Sequence, residues 1–400
     1  MKPKIRIKGF NDAWSSPTIE NVFELRNGYT PSKAIKEFWE KGTIPWFRME
    51  DLRENGGVLK DATQHITPLG VKGGGLFESG SIILSTTATI GEHAILTVNS
   101  LANQRFTNFK VCKSYADKYV SRFIYYAFFG IDKWAKKNTN SGGLLSVNMP
   151  LLVKQPFYTP SKEEQEYIAL YFTHIDNIIS TASSRLASLK QVKEASLQAM
   201  FPQRGETVPK IRFKGFEGEW EEVLLGSLFS ERVENDVTAE MLSVTMHDGI
   251  IKANENGRYD NSNSDRSNYK LVLKDDIAYN TMRMWQGASG CSPYSRGIVS
   301  PAYTVITPNV GVCSVFFAFY FKTNGLINKF RLNSQGLTKD TWNLKYPAFS
   351  SISVLYPTNM LEQQHIASYF TSLDKQIALQ MQRLEKLRQI KAACLDKMFV

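Results

Sequence analysis

The sequence predicts an α/β (α+β) fold, in which two mixed α/β domains are separated by two long antiparallel coiled-coil helices in a tandem pseudo-twofold repeat. Three observations lead to this prediction. The chain has a duplicated opening segment, a duplicated tail with heptad spacing, and strand-like runs between them. The 400 residues are enough for several domains of ordinary size.

The opening segment occurs twice, as PKIRIKGFNDAW at residues 3–14 and as PKIRFKGFEGEW at residues 209–220. Eight of its twelve positions are identical. A second pair, YIALYFTHIDNII from Tyr167 and HIASYFTSLDKQI from His365, aligns without a gap at an offset of 198 residues. The chain therefore consists of two copies of one unit, each with an opening segment, a variable body and a repeated tail.

These repeats predict domain boundaries. Residues 1–159 and 206–357 are expected to form the two domains, with variable bodies at residues 15–159 and 221–357. Residues 160–205 and 358–400 are expected to form the helical regions.

Apolar residues in the tails are spaced alternately by four and three positions, which is typical of a coiled coil. An alternative is that each helix packs only on its own domain. Gln380, aligned with Ala182, interrupts the apolar spacing of the second tail. The predicted seam residues are Ile168, Phe172, Ile175, Ile179, Leu186, Leu189, Ile366, Phe370, Leu373, Ile377, Leu384 and Leu387.

The bodies contain strand-like runs such as IILSTT at residues 82–87 and YTVITP at residues 303–308. Residues 120–137 predict an amphipathic helix with a basic end, and residues 315–332 take the same place in the second body. A polar, glycine-containing loop follows in both copies.

Composition points to a polyanionic partner. The formal net charge is +10, and residues 160–201 and 358–400 together account for only +1 of it, so positive charge is concentrated outside the tails. The sequence has no apolar run of membrane-spanning length and no signal peptide pattern, and its four cysteines are separate. These features predict a cytoplasmic protein without membrane association.

Amide, hydroxyl and basic side chains cluster in the loops of both bodies, and such groups suit base edges and phosphates. Read singly, the same residues are ordinary turn formers, and Trp285 is expected to pack. The candidate DNA-binding residues are Lys72, Asn103, Gln104, Arg105, Lys136, Lys137, Asn138, Asn140, Ser141, Asn280, Arg283, Gln286, Arg296, Asn333, Ser334, Gln335, Thr338 and Lys339.

Sequence signatures of catalysis are missing. The chain has no HExxH motif, no His/Cys cluster with metal-ligand spacing, no P-loop, no GxSxG elbow and no amino-methyltransferase tetrapeptide. We therefore predict no catalytic residues and no metal site.

The arrangement of repeats and bodies resembles the specificity (S) subunit of type I restriction–modification systems. GYTPSKAIKEFWEKGTIPWFRMEDL at residues 28–52 is similar to a pattern near the start of that family's target-recognition domains. IAYNTMRMWQGASG, with GIVSPAY at residues 297–303, is similar to another recognition-domain type. EEQEYIALYFTHID and EQQHIASYFTSLD resemble the openings of the family's helical regions. KGGG at residues 72–75 is richer in glycine than the family pattern.

The resemblance implies a non-catalytic reader of double-stranded DNA, in which each target-recognition domain contacts one half of a bipartite site. It implies that the helices dock two modification (M) subunits, which use S-adenosylmethionine, and that restriction (R) subunits, which use ATP and Mg²⁺, join them. No cofactor is expected on this chain. The competing hypotheses are a self-contained DNA methyltransferase or nuclease, and a coiled-coil scaffold for protein contacts.

Overall fold

The computed structural model describes residues 3–140, 145–246, 248–256 and 266–399. Over these positions the chain forms two compact units. Unit 1 comprises residues 1–183 together with 382–400, and unit 2 comprises residues 184–381.

Unit 1 contains a mixed sheet in the order β1-β8-β5-β6-β3, a second sheet in the order β4-β2-β7, and the hairpin β9-β10. Pairing is antiparallel except between β2 and β7 and between β3 and β6. The strands are β1 (Phe23–Asn27), β2 (Ile44–Phe47), β3 (Val58–Leu59), β4 (His65–Ile66), β5 (Ile82–Ser85), β6 (His93–Leu96), β7 (Leu101–Ala102), β8 (Phe106–Val111), β9 (Thr139–Asn140) and β10 (Ser146–Val147). The helices are α1 (Ile19–Val22), α2 (Met49–Glu54), α3 (Ser121–Lys137), α4 (Met149–Leu152) and the start of α5 (Lys162–Ala199).

Unit 2 contains a sheet in the order β12-β19-β16-β17 and the antiparallel pairs β11-β20, β13-β14 and β15-β18. The strands are β11 (Glu221–Leu224), β12 (Phe229–Glu231), β13 (Leu242–Val244), β14 (Ile250–Lys252), β15 (Lys270–Leu273), β16 (Ile277–Asn280), β17 (Ser289–Cys291), β18 (Arg296–Val299), β19 (Tyr303–Pro308) and β20 (Ser353–Tyr356). The helices are α6 (Leu225–Leu228), α7 (Ser314–Tyr320), α8 (Asn324–Asn333), α9 (Tyr346–Ser350) and α10 (Met360–Met398).

The helix after the second central sheet differs from its counterpart. Residues 315–332 form α7 and α8 rather than one helix, with a break between Tyr320 and Asn324. Thr323 is extended there, and its hydroxyl donates to the Tyr320 carbonyl. Asn324 and Gly325 have low helix propensity, so the chain restarts a helix instead of continuing one. In unit 1 the corresponding helix, α3, runs unbroken.

Both long helices begin with a polar cap and then bury an apolar stripe. The Ser161 hydroxyl accepts a hydrogen bond from the Glu164 amide, and the Asn359 side chain accepts one from the Leu361 amide. The predicted seam residues lie along the inner face of α5 and α10 and are buried or half-buried. No described helix has the long apolar stretch that crossing a bilayer would require.

A buried guanidinium–carboxylate pair joins the opening segment to the start of the long helix in each unit. In unit 1, Arg6 donates to both oxygens of Glu164 at 2.7 and 2.8 Å. In unit 2, Arg212 donates to Glu362 at the same two distances. The two glutamate side chains are 0% and 1% exposed. Each buried carboxylate is thus paired through both of its oxygens, which offsets the cost of removing it from water.

The glutamine after each of these glutamates ties the helix to the body of its unit. The Gln165 side chain accepts from the Val120 amide and donates to the carbonyls of Lys118 and Pro160. Gln363 accepts from the Cys313 amide and donates to the carbonyls of Gly311 and Pro357. A Glu–Gln dipeptide therefore fixes the first turn of each long helix against its own domain. We call the Arg–Glu pair and the glutamine together the clamp.

Polar pairs between the long helices also repeat. In unit 1, Lys391 donates to Asp176 at 2.6 Å, and the hydroxyl of Tyr171 lies 3.4 Å from the sulfur of Cys394. In unit 2, Lys193 pairs with Asp374, and Ser196 hydrogen-bonds Tyr369 at 2.9 Å. In each unit a later residue of α5 pairs with an earlier residue of α10. The two helices therefore run antiparallel.

Aromatic packing joins these helices to the domain cores. In unit 1 the Phe172 ring lies 5.0 Å from Tyr126 of α3 and 5.9 Å from Phe399. In unit 2, Phe201 packs 4.7 Å from Tyr320 and 5.9 Å from Phe370. The helices thus pack on their own domains and on each other at the same time.

We predict that Glu164→Ala destabilises unit 1, because it leaves the Arg6 guanidinium buried without a carboxylate. Removing one partner of a buried pair costs about 3 kcal/mol of unfolding free energy. The loss should appear as a lower urea midpoint, followed by hydrogen exchange of the α3 and α5 amides.

The control for this experiment replaces Arg6 and Glu164 together with Met, which removes the unpaired charge and keeps similar volume. We expect the double variant to be more stable than Glu164→Ala. Equal losses in the two variants would mean that packing, and not the ion pair, sets the stability of the clamp.

Candidate nucleic-acid interface

Three loops meet around one threonine in each unit. In unit 1 the Thr86 amide donates to the Arg105 carbonyl at 2.9 Å, and its carbonyl accepts from the Val147 amide at 2.9 Å. In unit 2 the Thr281 amide donates to the Ala302 carbonyl at 3.4 Å, and its carbonyl accepts from the Leu344 amide at 2.8 Å. The two units thus share one backbone arrangement at this edge.

We name the loops by their order in the chain. Loop A follows the central strand β5 or β16 and covers residues 86–92 or 281–288. Loop B precedes β8 or β19 and covers residues 103–105 or 300–302. Loop C follows α3 or α8 and covers the described residues 138–140 and 145–147, or residues 334–345.

In unit 1 the structure brings loop B and loop C together through Thr86. The amide of Arg105 donates to the Asn103 side chain at 3.0 Å, which shapes loop B as a tight turn. The Asn138 side chain donates to the Trp134 carbonyl at 2.9 Å and ends α3. The predicted residues Gln104, Arg105, Lys136, Lys137 and Asn140 are exposed on these segments. The predicted Ser141 lies outside the described residues.

Lys72 reaches the same edge through residues 28–33, a segment we call the approach loop. The Lys72 amide donates to the Tyr29 hydroxyl at 2.7 Å, and its ammonium lies 4.8 Å from the Tyr29 ring centre. Thr30 donates to the Gln104 side-chain oxygen at 2.6 Å. Gly28 is required here, because a Cβ at this position would lie 2.2 Å from the Asn103 carbonyl oxygen.

In unit 2, loop A and loop C meet through aromatic packing as well as through Thr281. The Trp285 ring lies 5.3 Å from Trp342, and its indole N–H donates to the Met282 carbonyl, so Trp285 packs as the sequence predicts. Arg283 and Gln286 flank it and are exposed. Asn280, at the end of β16, accepts from the Met282 amide and holds the turn.

Loop C of unit 2 is closed by backbone bonds. Gln335 and Asn343 exchange two amide–carbonyl hydrogen bonds of 3.0 and 2.8 Å, and a turn from Thr338 to Thr341 lies between them. Asn333 and Ser334 donate to the carbonyls of the preceding helical turn. The side chains of Gln335, Thr338 and Lys339 are exposed.

Arg296 has other partners. Its guanidinium donates to the Asp236 carboxylate at 2.6 Å and to the Thr238 hydroxyl at 3.2 Å. The pKa of Asp236 is held below its usual range, mainly by the hydrogen bond from the Thr238 amide. The Thr238 hydroxyl and the Arg296 guanidinium lower the pKa further. The structure therefore joins Arg296 to residues 236–238, while the other predicted residues of unit 2 lie on loops A and C or beside them.

Apart from Arg296, the predicted cations of the two units have no carboxylate partner among the described residues. Lys72, Arg105, Lys136 and Lys137 of unit 1, like Arg283 and Lys339 of unit 2, form no ion pair with any described residue. Arg6, Lys133, Lys193, Arg212 and Lys391 are all paired. Uncompensated positive charge beside amide and hydroxyl groups suits a polyanion with readable edges.

Sequence reasoning missed an aromatic site beside the approach loop. The Lys33 ammonium lies 3.2 Å from the Trp39 ring centre and 4.9 Å from that of Trp46, and it donates to the Gln64 side chain at 2.8 Å. Burial first, and the positive charge of Arg48 second, lower the pKa of Lys33. In the sequence, Lys33 lies close to Trp39 and Trp46, but this spacing alone does not show that the ammonium contacts the two rings.

Among the described residues, no group of three or more His, Cys, Asp or Glu side chains is placed to hold a metal ion.

Comparison with known proteins finds matches to one family over part of the chain. Residues 11–191 match the family model described as the type I restriction modification DNA specificity domain. The chain is 53% identical over 131 residues to the type I restriction enzyme EcoprrI specificity subunit of Escherichia coli, covering 33% of each chain. It is 29% identical over 184 residues to the MjaIX specificity subunit of Methanocaldococcus jannaschii, covering 45% of this chain and 41% of that one. The matched stretches thus span less than half of these curated relatives.

Solved structures show the fold over nearly the whole chain. The S subunit of the type I restriction–modification system from M. genitalium superposes with a TM-score of 0.62 at 15% identity, covering 100% of this chain and 99% of that one. A chain from a structure concerned with complex assembly and conformational transition of the type I R-M system gives a TM-score of 0.55 at 13% identity, covering 98% and 99%. The predicted fold class is confirmed. The family model over residues 11–191 and the curated relatives confirm the predicted resemblance to the specificity (S) subunits of type I restriction–modification systems.

Proposed function

We propose that this chain is the DNA sequence-recognition subunit of a type I restriction–modification complex, and that each of its two domains reads one half of a bipartite site. The observation that carries the proposal is the edge around Thr86 and its counterpart around Thr281. Both present unpaired cations with amide and hydroxyl groups on one shared backbone frame. Phosphate contacts would position the DNA, and base-edge contacts would supply specificity.

The differences between the two edges support two readers of different sequence. Loop B carries Asn103, Gln104 and Arg105 in unit 1 but Ser300, Pro301 and Ala302 in unit 2. Loop A carries Arg283 and Gln286 only in unit 2. The same frame with different donors and acceptors would select different bases.

The catalytic work would belong to partner subunits. We propose that two M subunits, which use S-adenosylmethionine, dock on the helical regions, and that R subunits, which use ATP and Mg²⁺, complete the complex. The long helices expose large apolar side chains that a partner could cover, among them Leu170 at 67%, Leu361 at 59% and Leu379 at 56% exposure. No reaction is assigned to residues of this chain.

A coiled-coil scaffold without DNA binding is the alternative that the unpaired cations argue against. We predict that DNA affinity of the chain assembled with M subunits falls about 10³-fold or more between 50 and 200 mM salt, as expected for several phosphate contacts. Arg105→Ala and Lys137→Ala should each reduce the slope of log affinity against log salt by about 1. Filter binding or fluorescence anisotropy over a salt series measures both.

Lys133→Ala is the matched control for this series. Lys133 is also an exposed lysine of α3, but Asp396 already pairs with it at 2.5 Å. Its replacement should leave the slope nearly unchanged. An affinity that is insensitive to salt would contradict DNA recognition and favour the scaffold.

We also predict that the two domains carry separable specificities. Replacing residues 15–159 with the body of another family member should change one half-site and leave the other intact. The reason is that the clamp residues Arg6, Glu164 and Gln165 lie outside the exchanged body and remain in place. Methylation-aware sequencing of DNA modified by this chain with its M subunits reads both half-sites at once.

The reciprocal exchange of residues 221–357 is the control and should change only the other half-site. If either exchange altered both half-sites, the assignment of one domain to each half-site would be wrong.

A further inference from the structure

We propose that Lys33 reads a base edge, with guanine as the base it selects, in the half-site bound by unit 1. This inference rests on the proposed function and adds a specificity-determining residue to it.

The first step is that the Lys33 ammonium is held on two sides. Its nitrogen lies over the Trp39 ring at 3.2 Å and near the Trp46 ring at 4.9 Å, and these rings are perpendicular with centres 5.0 Å apart. It also donates to the Gln64 side-chain oxygen at 2.8 Å. An ammonium has three donors. One is used by Gln64 and one faces the Trp39 ring, which leaves one for a ligand.

The second step is that the approach loop fixes the groups around the Lys33 ammonium. We call Trp39, Trp46 and Gln64 together the cage. The Trp39 indole donates to the Ser32 carbonyl at 3.0 Å, and the Trp46 indole donates to the Tyr29 carbonyl at 2.9 Å. The backbone of Gln64 is fixed as well, because its main-chain carbonyl accepts a hydrogen bond from the Trp46 amide at 2.9 Å. A free lysine loses much rotamer entropy when it is ordered. Lys33 has already lost most of it before any ligand binds.

The third step separates base reading from phosphate contact. A phosphate contact works well with a flexible lysine, because the phosphate attracts a point charge from many directions. Reading a base edge needs a donor at a fixed position. None of the described contacts of Lys33 is a carboxylate, and the ammonium of this exposed residue is held in place by the Trp39 ring and the Gln64 oxygen. A donor held in one position in this way suits an acceptor that is also held in one position, such as a base edge.

The fourth step identifies the acceptor. Thr30, three residues before Lys33, donates to the Gln104 oxygen at 2.6 Å, and the Gln104 amide nitrogen has no acceptor among the described residues. The same loop therefore fixes two donors, Lys33 and Gln104. In the major groove guanine presents two acceptors, O6 and N7, and lysine contacts to them are among the commonest specific contacts.

The test compares the chain with Lys33→Met, assembled with M subunits, by methylation-aware sequencing. Methionine keeps an apolar stem in the cage and removes the donor. We expect one guanine position of one half-site to lose discrimination by about 10-fold or more, as for a lost base contact. The other half-site should be unchanged. Lys33→Gln, also uncharged, should give the same pattern and replaces Lys33→Met if that variant folds poorly.

Lys36→Met is the matched control, since Lys36 is an exposed lysine three residues further along the chain, at the start of the short helix Lys36–Phe38, and has no ring contact or side-chain hydrogen bond among the described residues. It should leave the motif intact. An unchanged motif in Lys33→Met would overturn the inference, and so would an equal loss of methylation at every site, which indicates a phosphate contact. If the unaltered chain directs no sequence-specific methylation at all, the proposed function fails, and this inference fails with it.

Discussion

The buried pair between an arginine of the opening segment and the glutamate at the start of the long helix is the contact on which each unit depends. Arg6 and Glu164 in unit 1, like Arg212 and Glu362 in unit 2, join segments about 150 residues apart in sequence. Removing either partner would leave the other buried without its charge partner, which is strongly destabilising. Opening segment and helix must therefore be present together, and everything between them is held at both ends.

The clamp allows the segment that it encloses to vary. The backbone frame around Thr86 and Thr281 is shared, while loop A and loop B carry different side chains in the two units. Stability depends on the parts that repeat, and under the proposed function selectivity would depend on the parts that differ. A substitution in a loop can therefore change chemistry without disturbing the pairs that hold the helix to the domain.

The sequence predicted the features that local pattern determines. Heptad spacing and duplication predicted α5 and α10, and the polar loops predicted the residues gathered around Thr86 and Thr281. Features set by distant contacts escaped prediction. Arg296 pairs with Asp236, and Lys33 hydrogen-bonds Gln64. No sequence pattern indicates that the residues of either pair lie together. At the break between α7 and α8, the extended Thr323 donates its hydroxyl to the Tyr320 carbonyl at the end of α7.

The division of the long helices between the units also constrains the order in which the chain can fold during synthesis. Unit 2 is continuous, from residue 184 to residue 381, but the core of unit 1 includes Leu395 and Met398. On the ribosome, unit 2 can therefore close while unit 1 still exposes the apolar surface that those residues cover. Domains usually complete themselves from the N-terminus onward. Here the first domain to emerge would be the last to be completed, and it would need protection from aggregation until then.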